Sequence, residues 1–234
     1  MKLLFLTPQL PHPPKQGTAI RNWGLIKSLA LRHEITLLSF DDTNFISDEL
    51  RGTCKEIQTV HLPHRTFTHR LRDLIFSPLP DLAHRLASKE FSEKLQSLIT
   101  NYKLQITIFD AHNAETVLQR RAFANDIRNL KRLPAALYSL IQTRKLAVFE
   151  AKVCRAVNHV TCVSLEDAEA LRSLVPTLNP IIVPNGIFLS DYTSDFQLPT
   201  SNFQLVFTGK MDYRPNIDAV VWFAHEIFPK IKRE

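Results

Sequence analysis

The chain of 234 residues holds three cysteines, five glycines and no long apolar run. Cys54, Cys154 and Cys162 cannot all pair, and none stands in C-x-x-C spacing. They predict buried free thiols in a reducing compartment, not a disulfide framework. No apolar stretch approaches the roughly 18–20 residues that span a bilayer. The opening run ends at Thr7-Pro8 with no small-residue cleavage site after it, which sets aside a secretory signal. No Gly-x-Gly-x-x-Gly follows the first apolar run, so a dinucleotide-dependent oxidoreductase keeps only Asp41 and Asp42 in its favour. Internal repeats and low-complexity tracts are also missing.

What is present is an ordinary apolar fraction of 44% and a net charge of +6. That charge is unevenly placed. Between Asn113 and Arg155 nine Lys/Arg stand against three acids, an excess equal to that of the whole chain. Such a face suits anionic lipid, acidic glycan, nucleic acid or plain solvent. Aromatics are not interleaved with these charges, which argues against single-stranded nucleic acid.

The first forty residues carry the clearest pattern. Leu3 to Leu6 read as a strand covered on both faces, followed by a loop with Pro8, Pro11, Pro13 and Pro14. Gly17 then precedes a helical stretch with Ile20, Trp23, Ile26, Leu29 and Ala30 on one face, and HEITLLS (33–39) reads as a second strand. This is a βαβ unit, whose ligands collect outside the carboxyl ends of the strands, near helix N-termini that attract anions.

Further strands are expected at 57–61, 105–109, 159–163, 181–183 and 204–208. Helices are expected at 19–31, 88–102, 138–156, 165–174 and 217–232. The alternation predicts an α/β fold, a Rossmann-like parallel sheet with helices on both faces. Residues 64–80 read as an irregular or helical excursion at the rim. A first domain is expected over 1–186, a linker over 187–203, and over 204–234 one βα unit of a second domain. Nothing caps that last helix, and one βα unit cannot build its own core, so the second domain reads as begun and not completed.

Five segments in register carry a resemblance: LLFLTPQLPHPPKQGTAIRNW near the start, DAHNAE (110–115), VTCVSLEDAEAL (160–171), IIVPNG (181–186) and LVFTGKMDYRPNID (205–218). Together they resemble the amino-terminal domain and hinge of family 4 (group 1) glycosyltransferases of the GT-B fold. The match is best to the subgroup with the FTG-x-MDY-x-PN signature, linked to bacterial exopolysaccharide assembly. The resemblance implies two facing Rossmann-like lobes, acceptor on the first and nucleotide-sugar donor on the second, with transfer that retains anomeric configuration. It implies no metal and no cofactor beyond the donor itself. The lack of any Asp-x-Asp agrees, and helix N-termini, backbone amides and cations would then stabilise the leaving diphosphate.

By the same resemblance His112 contacts the transferred sugar. Gly17 and Thr18 border the site, although the family commonly has two adjacent glycines there; for Gly17 a plain turn role stays open. Arg21 reaches an anionic acceptor or is simply solvated. Asn113 and Glu115 belong to the strand-end motif, Glu115 as a helix-orienting group or an acceptor base. Lys210 stands where the family has a diphosphate-gripping arginine, and Arg214 lies beside the later lysine position. Lysine supplies a point charge where arginine supplies a fork. The expected partners are a nucleotide sugar, a glycan or lipid-linked acceptor, an anionic membrane surface at the cytoplasmic face, and a chain completing the donor lobe. Alone, the chain is expected not to turn over. The competing reading is a non-catalytic acceptor-binding or scaffold partner of a full-length transferase.

Overall fold

The computed structural model describes residues 1–189, 205–209, 211 and 214–232, with only the backbone of Arg214. The chain divides into two compact units, Met1–Asp191 and Tyr192–Glu234. Most of the expected linker, and Lys210, lie outside the described residues.

The first unit is α/β. It opens with β1 (Lys2–Thr7), α1 (Gly17–Ala30), β2 (Glu34–Phe40), α2 (Asp48–Thr53) and β3 (Glu56–Val60). The three strands form a parallel sheet with β2 in the middle, Leu4 opposite Thr36 and Leu38 opposite Gln58. Every residue of β2 after Glu34 is buried, as expected of a strand covered on both faces. Its alternation divides the core. Ile35 and Leu37 pack with Trp23 and Ile26 of α1 and Leu50 of α2, whereas Leu38 and Phe40 pack with Val60 and Leu98. Ile20 departs from the expected apolar stripe and is 40% exposed, while Ala19, Arg21 and Asn22 turn inward.

Three helices follow: α3 (Phe67–Phe76), α4 (Asp81–Arg85) and α5 (Lys89–Tyr102). The 64–80 excursion is therefore largely helical, started by a Thr66 side chain that accepts from the His69 amide. Ser88 caps α5 in the same way, and Lys103 ends it in the left-handed region at φ 52°.

The second half holds β4 (Ile108–Ala111), α6 (Glu115–Asp126), α7 (Leu133–Ala156), β5 (His159–Cys162), α8 (Leu165–Leu174) and β6 (Ile181–Ile182). Its strands form another parallel sheet with β5 central. The core here is built from small side chains, Ala111, Ala151, Cys154, Val160, Cys162 and Ala168 with Leu171 and Val175. All three cysteines are free and buried. Burial pushes the Cys54 thiol up to about 11, so it stays protonated and unreactive at neutral pH.

Two expectations change. The single sheet is, among the described residues, two sheets of three strands, with β1 and β4 each an outer strand. Side chains join the halves where a backbone ladder was expected, above all the Arg21–Asp110 pair. β4 also runs later than the expected 105–109, because its register on β5 places Ile108 opposite His159 and Ala111 opposite Cys162. Asp110 thus lies inside the strand.

In the second unit residues 205–208 form no strand. An isolated extended segment has no ladder to satisfy its backbone, which is the physical reason a lone βα unit does not hold one. Its helical part is α9 (Arg214–Trp222), a π-helical turn at Phe223–Ile227 and α10 (Phe228–Ile231). Pro229 explains the wide turn: it has no N–H, and its ring would press on the carbonyl four residues earlier. Gly209 is tightly enclosed, since a Cβ there would come within 2.9 Å of the Asn216 side-chain amide and the Phe207 ring.

Candidate functional site

The carboxyl ends of β4, β5 and β6 gather the polar side chains of the first unit. Arg21, in the second turn of α1, is 6% exposed. Its Nε and Nη2 donate to the two carboxylate oxygens of Asp110 at 2.8 and 2.6 Å. Nη1 donates to the Val183 carbonyl at 2.8 Å and to Asn185 Oδ1 at 3.1 Å. Thr161 donates its hydroxyl to Asp110 Oδ1 at 2.6 Å. One guanidinium therefore ties α1 to β4 and to the segment after β6. Of the two sequence readings of Arg21, solvation is corrected: the side chain is buried, and each of its nitrogens already donates within the protein.

Burial alone would raise the Asp110 carboxyl, but the bonds from Arg21 and Thr161, with the nearby Arg21 and His112 charges, outweigh it and hold the group below 3.8. His112 Nε2 lies 3.6 Å from Asp110 Oδ2. Burial lowers its pKa below 6.5; Asp110 opposes the shift and the Arg21 charge adds to it. A neutral imidazole results, able to donate at one nitrogen and accept at the other. In an NMR titration the His112 ring should have its midpoint below 6.5; a midpoint above that value would mean that Asp110 dominates its surroundings.

Asn113 and Glu115 complete the strand-end motif. The Glu115 carboxyl is raised above 4.5 by burial and then by the Glu150 charge, against a hydrogen bond from Asn113 and the Arg85 charge. Glu115 also opens α6, whose own N-cap residue, Ala114, has no capping side chain. The cap comes from other helices. Glu150 of α7 accepts from the Glu115 amide at 2.7 Å and the Thr116 amide at 2.9 Å, and also from the Thr116 hydroxyl. Asp167 of α8 accepts from the Ala114 amide at 2.9 Å, and Ser164 donates to that same carboxylate at 2.7 Å. Glu150, Thr161, Asp167 and Asn185 were not identified as site residues from sequence. Local capping rules look three residues away, and these partners are 34 to 164 residues distant.

Gly17 and Thr18 form the first turn of α1, with Gln16 as N-cap and no capping side chain. A Cβ on Gly17 would meet nothing within 4 Å, so the fold itself does not demand glycine there. Beside Arg21 lies a cavity of about 230 Å³ between α1, at Gly24, Leu25 and Ser28, and the segment from Pro184 to Phe188. Lys27 covers its Phe188 edge, 4.4 Å from the ring centre. His112 and Asp110 do not line this cavity. Asp41 and Asp42, the oxidoreductase remnant, are engaged locally: Asp41 accepts from the Thr43 amide and hydroxyl, and Asp42 from the Leu62 amide. Lys210 is outside the described residues, and Arg214 is placed only by backbone at the start of α9.

Among the described residues no group of three or more His, Cys, Asp or Glu could hold a metal ion. No described helix is long and apolar enough to cross a membrane. No protein-family model matches the sequence, and comparison with curated proteins finds no match.

Proposed function

We propose that the chain is a glycosyltransferase of the GT-B, family 4 type, which moves a sugar from a nucleotide-sugar donor to a glycan or lipid-linked acceptor with retention of configuration. The observation that carries this reading is the strand-end sequence Asp110-His112-Asn113-Glu115, whose neutral imidazole stands beside an internally compensated Arg21–Asp110 pair. A neutral imidazole can both donate to and accept from a sugar hydroxyl, and His112 would fill that role. Glu115, with its raised carboxyl, would serve as the proton acceptor for an acceptor hydroxyl. Lys210 and Arg214 would grip the donor diphosphate, and Gly17 and Thr18 would let the α1 N-terminus approach the acceptor. The exposed basic side chains of α6, α7 and the segment between them, Arg120, Arg121, Arg128, Arg144 and Lys152 among them, would meet an anionic leaflet at the cytoplasmic face.

Saturation-transfer NMR on the full chain tests the reading, with a panel of UDP- and GDP-sugars and the free hexoses. The expected result is saturation on the sugar-ring protons of at least one compound, lost in His112→Ala while the circular dichroism spectrum is unchanged. No saturation on any compound, or equal saturation in the variant, would overturn the assignment.

A further inference from the structure

A second cavity of the first unit carries chemistry that the strand-end cluster does not use. It measures about 460 Å³, within the roughly 300–1,000 Å³ typical of small-molecule sites. It lies among α3, α4 and the start of α7 and shares no lining residue with the strand-end cluster or the cavity beside Arg21.

Its mouth and its floor differ. At the mouth stand Phe67, Leu71 and Leu79, all exposed. The floor is Gln142, which belongs to the buried stripe of α7 with Ala136, Ser139 and Leu146. Only 3% of Gln142 is exposed. A buried amide has to find partners for both its ends. One end has done so, since Gln142 Oε1 accepts from the Asp81 amide at 2.9 Å. Only the oxygen can accept from an N–H, so this bond also fixes which end of the side chain is nitrogen. The Nε2 donates to no described group. Every fully enclosed side-chain nitrogen or oxygen among the described residues has a partner. The Nε2 is therefore not enclosed; it opens on the cavity that Gln142 lines.

Beside that donor stands an acceptor. Asp81, held to Gln142 through its own backbone, accepts from Arg65 at Oδ1, and its Oδ2 accepts from no described group. Tyr138 lies one turn before Gln142 on α7 and also lines the cavity. Burial and then the Asp81 charge push its phenol above 10, so it stays protonated and able to donate.

Charge gives the cavity no preference for an ion. Arg65 bridges Asp73 and Asp81 at 2.9 and 2.8 Å. Arg72 lies 3.1 Å from Asp73, and Arg70 3.8 Å from Asp81. Each carboxylate thus has two guanidinium neighbours, and each guanidinium has a carboxylate. A charged ligand would shed its water there without finding an unspent counter-charge. His84 is engaged as well, paired with the Ser77 hydroxyl at 2.8 Å. What remains open is a neutral polar edge, one donor and one acceptor side by side, below an apolar mouth. Phe67 and Tyr138 line the cavity without ring contact between them, which leaves room for a third ring.

We infer that this cavity binds a neutral aromatic lactam, a flat ring whose carbonyl accepts from Gln142 Nε2 and whose adjacent N–H donates to Asp81 Oδ2. Its ring face would lie among Phe67, Leu71 and Tyr138. The site is separate from sugar transfer, because Lys210 and Arg214, expected to grip the donor diphosphate, belong to the second unit. Its failure would leave that reading untouched.

Heteronuclear NMR on the full chain tests the site with carbostyril as the probe, read at the Gln142 side-chain amide and the Tyr138 ring. Carbostyril should shift both signals saturably. N-methylcarbostyril keeps the carbonyl but not the N–H, and should bind ~10-fold more weakly or worse through loss of one hydrogen bond to a charged group. Quinoline has neither group and should shift nothing. Ala135→Trp fills the cavity from an exposed position, and Gln142→Glu keeps the oxygen that the Asp81 amide needs while removing the donor. Both variants should abolish the Tyr138 response, with unchanged circular dichroism to certify each fold. Uridine and guanosine present the same edge on a nucleoside: a shift with either identifies nucleosides as the source, and a response to carbostyril alone identifies a free lactam. The inference is overturned if none of the three lactams moves the Gln142 amide, if N-methylcarbostyril or quinoline binds as tightly as carbostyril, or if both variants respond like the wild type.

Discussion

Arg21→Met should lower the unfolding free energy by about 3 kcal/mol, the low end of the cost of breaking a buried ion pair. The low end applies because the Asp110 side chain keeps a quarter of its surface, 25%, in solvent, against 4% for Arg21. The loss has two parts. Asp110 would keep only the Thr161 hydroxyl among its named donors, while the Val183 carbonyl and Asn185 amide oxygen would lose theirs. Denaturant unfolding of Arg21→Met, Asp110→Asn and the double variant gives the coupling. The double variant should recover part of the loss, because it removes the stranded charge together with its partner.

The pH dependence identifies the cause. In the wild type the folded Asp110 carboxyl lies below 3.8, so its contribution is full above that value and is lost as the pH falls through the folded pKa. In Arg21→Met burial is no longer opposed by the guanidinium, and the folded value moves up. The stability difference between the two proteins should therefore be largest above about pH 5 and shrink towards pH 3. A difference constant over that range would mean that Arg21 acts through packing, not through Asp110.

How much of this was legible in the sequence depends on the range of the interaction. β1 at Lys2–Thr7 and α8 at Leu165–Leu174 follow from runs and spacings within one element, and both stand where periodicity puts them. α6 was implied only as the helix after Glu115, because ETVLQRRAFAND has no apolar stripe; tertiary caps hold its start. The strand expected at 204–208 had the right residues, but residues 205–208 lack a partner to pair with among the described elements. At the site, the DAHNAE motif located Asp110, His112 and Glu115. It could not show that Arg21, 89 positions earlier, would neutralise Asp110, or that burial would lower the His112 pKa against the pull of Asp110. The count of charge in 113–155 also understated the basic face, since Asp126 and Glu150, two of its three acids, are 1% and 5% exposed.

Glu150→Ala carries the other large expected effect, and two opposing consequences have to be weighed. Removing the carboxylate strips the acceptor from the Glu115 and Thr116 amides and from the Thr116 hydroxyl, at the buried start of α6. Hydrogen bonds to a charged group contribute roughly 1.5–3 kcal/mol each, so even with water replacing some of them the loss should reach about 3 kcal/mol. Against this, the charge that helps raise the Glu115 carboxyl disappears. A raised folded pKa means stability that is full below the unfolded value and lost as the pH rises through the folded one, so ionised Glu115 opposes folding at neutral pH. Relief of one such repulsion is the smaller quantity, and the bonds decide the sign: the variant should be clearly destabilised. Glu115→Gln separates the two effects, because it keeps the cap and removes the repulsion. Thermal unfolding should show it as stable as the wild type or more so at pH 7, with the gain fading as the pH falls below 4.5 and Glu115 becomes neutral in both states. In Glu150→Ala the Glu115 carboxyl should titrate lower than in the wild type, since one of the two causes that raise it is gone. An unaltered Glu115 titration in that variant would show that the two carboxylates do not sense one another, and α6 would then be held by its cap alone.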